Sequence, residues 1–185
     1  MKISYNAPVV LTFTFLALIV YVLTHYFMSP LKGLFVTYPN FNFFNLIDYF
    51  RLFSHILGHA DFQHFMGNFT FILLLGPILE EKYGSKLLLG MILFTAFTTG
   101  ILNAMFFNNG LLGASGIVFL FILLASFTTF KSGEIPLSFI LVFVVFIGQE
   151  VLNSMGNDNV SQFGHMLGGG IGSLFGFNLN KQRHS

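Results

Sequence analysis

The sequence predicts an all-α, polytopic membrane protein: a bundle of six transmembrane helices with a membrane-associated first outer loop. Three observations carry this. Charged residues make up 8% of the 185 residues and hydrophobic ones 55%, with a mean hydropathy of +0.79. An average soluble domain carries about 25% charge, so this chain must have the bilayer as its main solvent. Six stretches also reach the roughly 17–25 mostly apolar residues that a spanning helix needs, and the segments between them carry turn residues or charge.

The spans are expected at about 8–28, 62–79, 86–107, 114–130, 135–152 and 161–179, within a single domain covering 1–185. Typical separators are Glu80-Glu81-Lys82-Tyr83-Gly84 and Lys131-Ser132-Gly133-Glu134. The first stretch competes with a signal peptide. Its apolar run exceeds the usual core of about 7–15 residues and no small-x-small site follows, so a retained helix is expected.

Basic residues set the orientation. With both termini in the cytoplasm, Lys2, Lys82, Lys86, Lys131, Lys181 and Arg183 lie inside, and only Lys32 and Arg51 lie outside. That satisfies the positive-inside rule. The connection 29–61 then lies outside, yet it carries Phe35, Phe41, Phe43, Phe44, Leu46, Ile47, Phe50, Leu52 and Phe53. Such a loop should dip into the outer leaflet or pack on the bundle. Its backbone polar groups then need internal partners, which short helices supply.

Net charge is +1, which gives no field to attract nucleic acid. There is no cysteine, so disulfide and thiolate chemistry are excluded. Trp is absent, leaving Tyr to supply any aromatic belt.

Polar groups within apolar spans are costly and mark functional sites. Ser115, in Gly113-Ala114-Ser115-Gly116, opens the fourth span, where unpaired N–H groups and the helix dipole can hold an oxyanion. Taken alone, this segment fits a small-residue packing contact better. His165 lies about one turn inside the sixth span, beside Gly164, Gly168, Gly172 and Gly176, whose spacing forms a seam for close helix approach. Catalysis and packing are equally open there. His64 and Asn68 share one face of the second span and can both present N–H donors, or can simply glue helices together. Glu80 falls at the cytoplasmic end and is expected to tie helix ends together.

Depth separates these readings. Ser115, His165, His64 and Asn68 all come from the outer ends of three spans, so a nucleophile, a base and two donors share one layer, as acyl transfer requires. A zinc site built on His55, His59, His64 and His165 lacks the acid that follows the first His in H-E-x-x-H, so no metal and no cofactor is expected. A small transporter is the other alternative, but it would place its site near the midplane.

From Phe50 to Gly176 the chain resembles the rhomboid family of intramembrane serine proteases in its minimal six-helix form. Phe50-Arg51 stands where the family has Trp-Arg. His59, His64 and Asn68 match H-x-x-x-x-H-x-x-x-N, and Gly76, Glu80 and Gly84 match G-x-x-x-E-x-x-x-G. Gly113 to Gly116 matches G-x-S-G, while His165, Gly168 and Gly172 match H-x-x-G-x-x-x-G. The resemblance implies a Ser115–His165 dyad, and an oxyanion hole from His64, Asn68 and the Ser115 N–H. It also implies that His59 supports the outer loop and the oxyanion side. Phe119 replaces a frequent Tyr beside the catalytic ring; it can stack but cannot hydrogen-bond. Expected substrates are membrane proteins whose spanning helix is weakened near its outer end, cut on the extracytoplasmic side of the cell (inner) membrane. A non-catalytic relative with the same groove remains the alternative within that fold.

Overall fold

The computed structural model describes residues 2–126 and 159–183, together with positions 137, 140, 141, 144 and 145. The described residues are helical throughout the bundle, in a polytopic membrane fold.

Pro8 opens α1 (Pro8–Val22), a position where its missing N–H is no loss. Val10, Phe13, Ala17, Val20 and Tyr21 recur at helical spacing and turn inward, while Phe15, Leu16 and Ile19 face outward. A single π turn, Leu23–Phe27, extends the helix, and Pro8–Phe27 is long and apolar enough to cross a membrane. So are α3 (Phe62–Tyr83) and α4 (Ser85–Phe106). Between α1 and α3 run a 3-10 segment (Ser29–Phe35), α2 (Leu46–Ser54) and a 3-10 turn (His55–Leu57). The apolar loop is thus helical where its backbone must satisfy itself. Phe43, Phe44 and Leu46 stay exposed, which fits a loop bathed in lipid.

Each end has a local cause. Asn45 caps α2 by accepting from the Ile47 N–H (3.1 Å), and Asp61 caps α3 by accepting from the His64 N–H (2.8 Å). Pro77 sits inside α3 without ending it, so the helix runs to Tyr83, beyond the expected 79. Gly84, at φ +82°, closes α3 through its N–H to the Glu80 carbonyl (2.8 Å) and opens α4 by accepting from the Leu88 N–H (3.1 Å).

Glu80 ties the start of α1 to this corner. Its two carboxylate oxygens accept from the Val9 N–H (2.9 Å) and the Val10 N–H (3.0 Å), and Oε1 also accepts from the Ser85 hydroxyl (2.7 Å). A carboxylate at a helix N-terminus suits the dipole, and donors stranded without it would cost about 1–3 kcal/mol each.

The core centres on α5 (Ser115–Ser126), where Ile117, Leu120, Phe121, Leu123 and Leu124 are fully buried. It packs against α3, α4 and, most extensively, α6 (Asn159–Arg183). The fifth expected span, 135–152, lies outside the described residues apart from the five isolated positions, which are helical; residues 127–130 of the fourth also lie outside them. At the far end from Glu80, Thr37 and Leu111 form an antiparallel bridge, exchanging N–H···O bonds of 2.9 and 3.1 Å. This joins the loop after α1 to the turn before Ser115.

Candidate active site

Ser115 is the first residue of α5, so the turn before it decides where its hydroxyl points. Gly113 in that turn has φ +118°, a conformation that L side chains rarely adopt. Space imposes the same choice. A Cβ on Gly113 would lie 2.7 Å from His64 Cε1 and 2.8 Å from His64 Nε2. The Gly113 N–H donates to the His55 carbonyl (2.9 Å), and the Ala114 carbonyl accepts from Ile117 and Val118 to start the helix.

His64 and Asn68 rise from the first two turns of α3 and face this turn. Asn68 Nδ2 comes 3.7 Å from the same Cβ position on Gly113. His59 joins the two elements. Its Nδ1 lies 3.2 Å from the Leu57 carbonyl, which fixes the proton there and leaves Nε2 as acceptor. Nε2 then receives the Asn68 amide at 3.1 Å and the Ala114 N–H at 3.5 Å. The His59 ring is also edge-on to His64, with centroids 5.0 Å apart. Burial first, and the neighbouring His64 second, push the His59 pKa down to about 4, so at neutral pH it is an uncharged acceptor.

From the other side comes α6. A Cβ on Gly168 would overlap the Gly116 carbonyl oxygen, and one on Gly172 would lie 2.6 Å from the Leu120 carbonyl oxygen. The two helices therefore meet backbone to backbone. Next to this contact, the His165 ring lies against Phe119, with centroids 4.4 Å apart and planes at 42°. Phe119 is one turn beyond Ser115 on the same face of α5. A cavity of about 10 Å³, lined by His55, Thr99, Gly113, Ser115, Gly116 and Gly164 among others, adjoins the serine. That is about the room one water requires.

Arg51 braces the outer loop. It bonds the Gly33 carbonyl (2.9 Å) and Asp48 (2.8 Å), and its guanidinium lies 4.8 Å from the centre of the Tyr38 ring. Glu80 stands four and a half turns along α3 from His64, about 24 Å away at 1.5 Å per residue. Among the described residues no three His, Asp or Glu side chains group as a metal site would require.

Several supporting residues escape the sequence reading. His55, considered there only as a metal ligand, is almost wholly buried; its carbonyl holds Gly113, its Nδ1 faces the Arg51 carbonyl (3.1 Å) and its Nε2 faces the Thr99 hydroxyl (3.3 Å). Burial pushes its pKa down to about 4 against the pull of the backbone carbonyls. Asn103 donates to the Thr37 hydroxyl (3.3 Å) and the Asn109 carbonyl (3.1 Å), steadying the loop that leads to Ser115. His25 lies 3.0 Å from both the Tyr21 and Ala60 carbonyls, linking the end of α1 to the start of α3. Thr95, Thr99 and Asn103 share one face at four-residue steps, a buried polar stripe in an apolar helix. That spacing was the available signal.

These elements define a polytopic helical membrane protein in which a serine starts a helix, the His64 ring and the Asn68 amide face the turn before it, and the helix that bears His165 packs against its own. A family model for the rhomboid domain matches residues 47–182. The chain belongs to the rhomboid family, which is known for intramembrane serine proteases. No curated protein matches the chain.

Proposed function

We propose that this protein is a serine endopeptidase that hydrolyses peptide bonds in or near the transmembrane segments of membrane-protein substrates, using Ser115 and His165 as a dyad. The observation that carries the reading is the seating of the His165 ring on Phe119, one turn from Ser115, beside the α5–α6 backbone contact. A general base must be held within reach of its nucleophile, and a glycine seam is the closest way to hold two helices together.

In this mechanism His165 takes the Ser115 proton as Oγ attacks the scissile carbonyl. The oxyanion that forms is met by the Ser115 N–H at the start of α5, by His64 and by the Asn68 amide. The intermediate collapses, the C–N bond breaks, and His165 returns the proton to the leaving amine. Water then attacks the acyl-enzyme, losing its proton to His165 and releasing the acid with Ser115 restored. The small cavity beside Ser115 fits delivery of that water. His59 acts through others, as an uncharged acceptor that positions Asn68 and the Ala114 N–H.

Peptide bonds inside an intact helix are shielded, so substrates are membrane proteins with helix-weakening residues near the cut. In a cell (inner) membrane, the positive-inside bias supports an orientation with both termini cytoplasmic and cleavage on the extracytoplasmic side. The reading is tested with a fluorophosphonate probe on detergent-purified protein. Labelling of the wild type and its loss in Ser115→Ala is expected; equal labelling of both would refute the nucleophile, and an unlabelled wild type would favour a non-catalytic relative.

A further inference from the structure

An apolar slot of about 540 Å³ lies between α1 and α4, away from Ser115. Its walls are Pro8 to Leu16 of α1 and Ser85 to Leu93 of α4, each a stretch of about 12 Å along a helix axis. Phe50 and Phe53 of α2 line it as well, and Phe53 stacks on Phe97 (5.9 Å), one turn beyond Leu93. Hence α2 closes one end, and the slot opens toward the start of α4. The lining is almost wholly apolar, so an occupant must be apolar along its length. An acyl chain meets that condition.

Ser85 lines the slot at the start of α4, where it opens. Lys86, next to Ser85, is exposed and falls on the same strip of α4 as the lining residues Leu89 and Leu93, at i, i+3 and i+7. Glu80, the acid nearest this mouth, is buried, its carboxylate taken up by the Val9 and Val10 N–H groups and the Ser85 hydroxyl. Among the described residues no acid lines the slot. An apolar trough with a cation at its mouth matches one amphiphile, a lipid with a negative headgroup.

We propose that the slot between α1 and α4 binds an anionic glycerophospholipid, with an acyl chain between Leu16, Leu89, Leu93 and Phe53 and its phosphate at Lys86. The site is independent of the Ser115 chemistry and needs only that the chain be membrane-embedded.

The test is native mass spectrometry of the detergent-solubilised full chain, titrated with phosphatidylglycerol or with phosphatidylcholine of the same acyl chains. The wild type should retain phosphatidylglycerol in preference. Lys86→Gln, an exposed change that leaves the core intact, should reduce that preference roughly fivefold, the effect of one basic residue near an anionic headgroup. Leu89→Trp, which fills the slot, should remove retention of both lipids. Equal retention of the two lipids by the wild type, or an unchanged preference in Lys86→Gln, overturns the proposal. So does a folded Leu89→Trp that still holds phosphatidylglycerol; if that variant does not fold, the Lys86→Gln comparison decides.

Discussion

Gly168 of α6 rests on the backbone of Gly116 in α5, so closely that a Cβ at Gly168 would lie 2.9 Å from the Gly116 Cα and overlap its carbonyl oxygen. Ser115 directly precedes Gly116, and His165 lies one turn before Gly168. The seam therefore sets the distance between two helices that carry the two groups of the proposed dyad.

Gly168→Ala should accordingly push α6 off α5. Overpacking of this kind typically costs about 1–3 kcal/mol, and backbone carbonyl cannot yield as a flexible side chain can. We expect a lower unfolding temperature and loss of most peptidase activity. Gly170→Ala is the control: none of the described residues lies within 4 Å of its Cβ, and Ala is the better helix former by about 1 kcal/mol. Thermal unfolding and substrate cleavage, measured on both variants, should separate them.

Gly113→Ala should act on chemistry more than on the fold. The residue must accept φ +118° and its methyl would meet the His64 ring. A strained backbone of this kind costs about 1–3 kcal/mol. Displacing one oxyanion donor lowers turnover by about 10²–10³. The expected outcome is folded protein with turnover reduced by that order, read from steady-state cleavage beside a melting curve.

The buried histidines make stability depend on pH in a defined direction. His55 and His59 are held near pKa 4, while in the unfolded chain they titrate near 6.5. Below pH 6.5 the unfolded state binds more protons, so stability falls as pH drops from 6.5 toward 4 and is level above 6.5 on their account. Each contributes up to about 3 kcal/mol across that window. Unfolding temperatures at pH 7.5, 6, 5 and 4 should decline stepwise below 6.5, and His59→Gln should flatten the decline. A protein that grows more stable on acidification through this range would contradict the assignment of neutral rings.

Much of this was legible in the sequence because membrane helices leave strong signals. Low charge gives the class, and the glycine series around His165 gives the face that meets α5. Gly84, in the separator after the second span, marks a helix end by its conformation. What could not be read follows from the kind of group involved. The Gly113 N–H is held by the His55 carbonyl, and a backbone acceptor leaves no trace in residue identity. The Thr37–Leu111 bridge pairs residues 74 apart for the same reason. The Thr95, Thr99 and Asn103 stripe was readable at four-residue spacing, but threonine in an apolar helix often just bonds its own preceding turn. Here Thr99 does both, bonding the Thr95 carbonyl (2.8 Å) and facing His55.

The central claim is that the Ser115 hydroxyl breaks the peptide bond. The direct measurement is cleavage of a purified transmembrane substrate by wild-type protein and by Ser115→Ala in the same detergent, with fragments resolved by mass. Cleavage by the wild type and none above background by the variant is the predicted result. Undiminished cleavage by Ser115→Ala would contradict it.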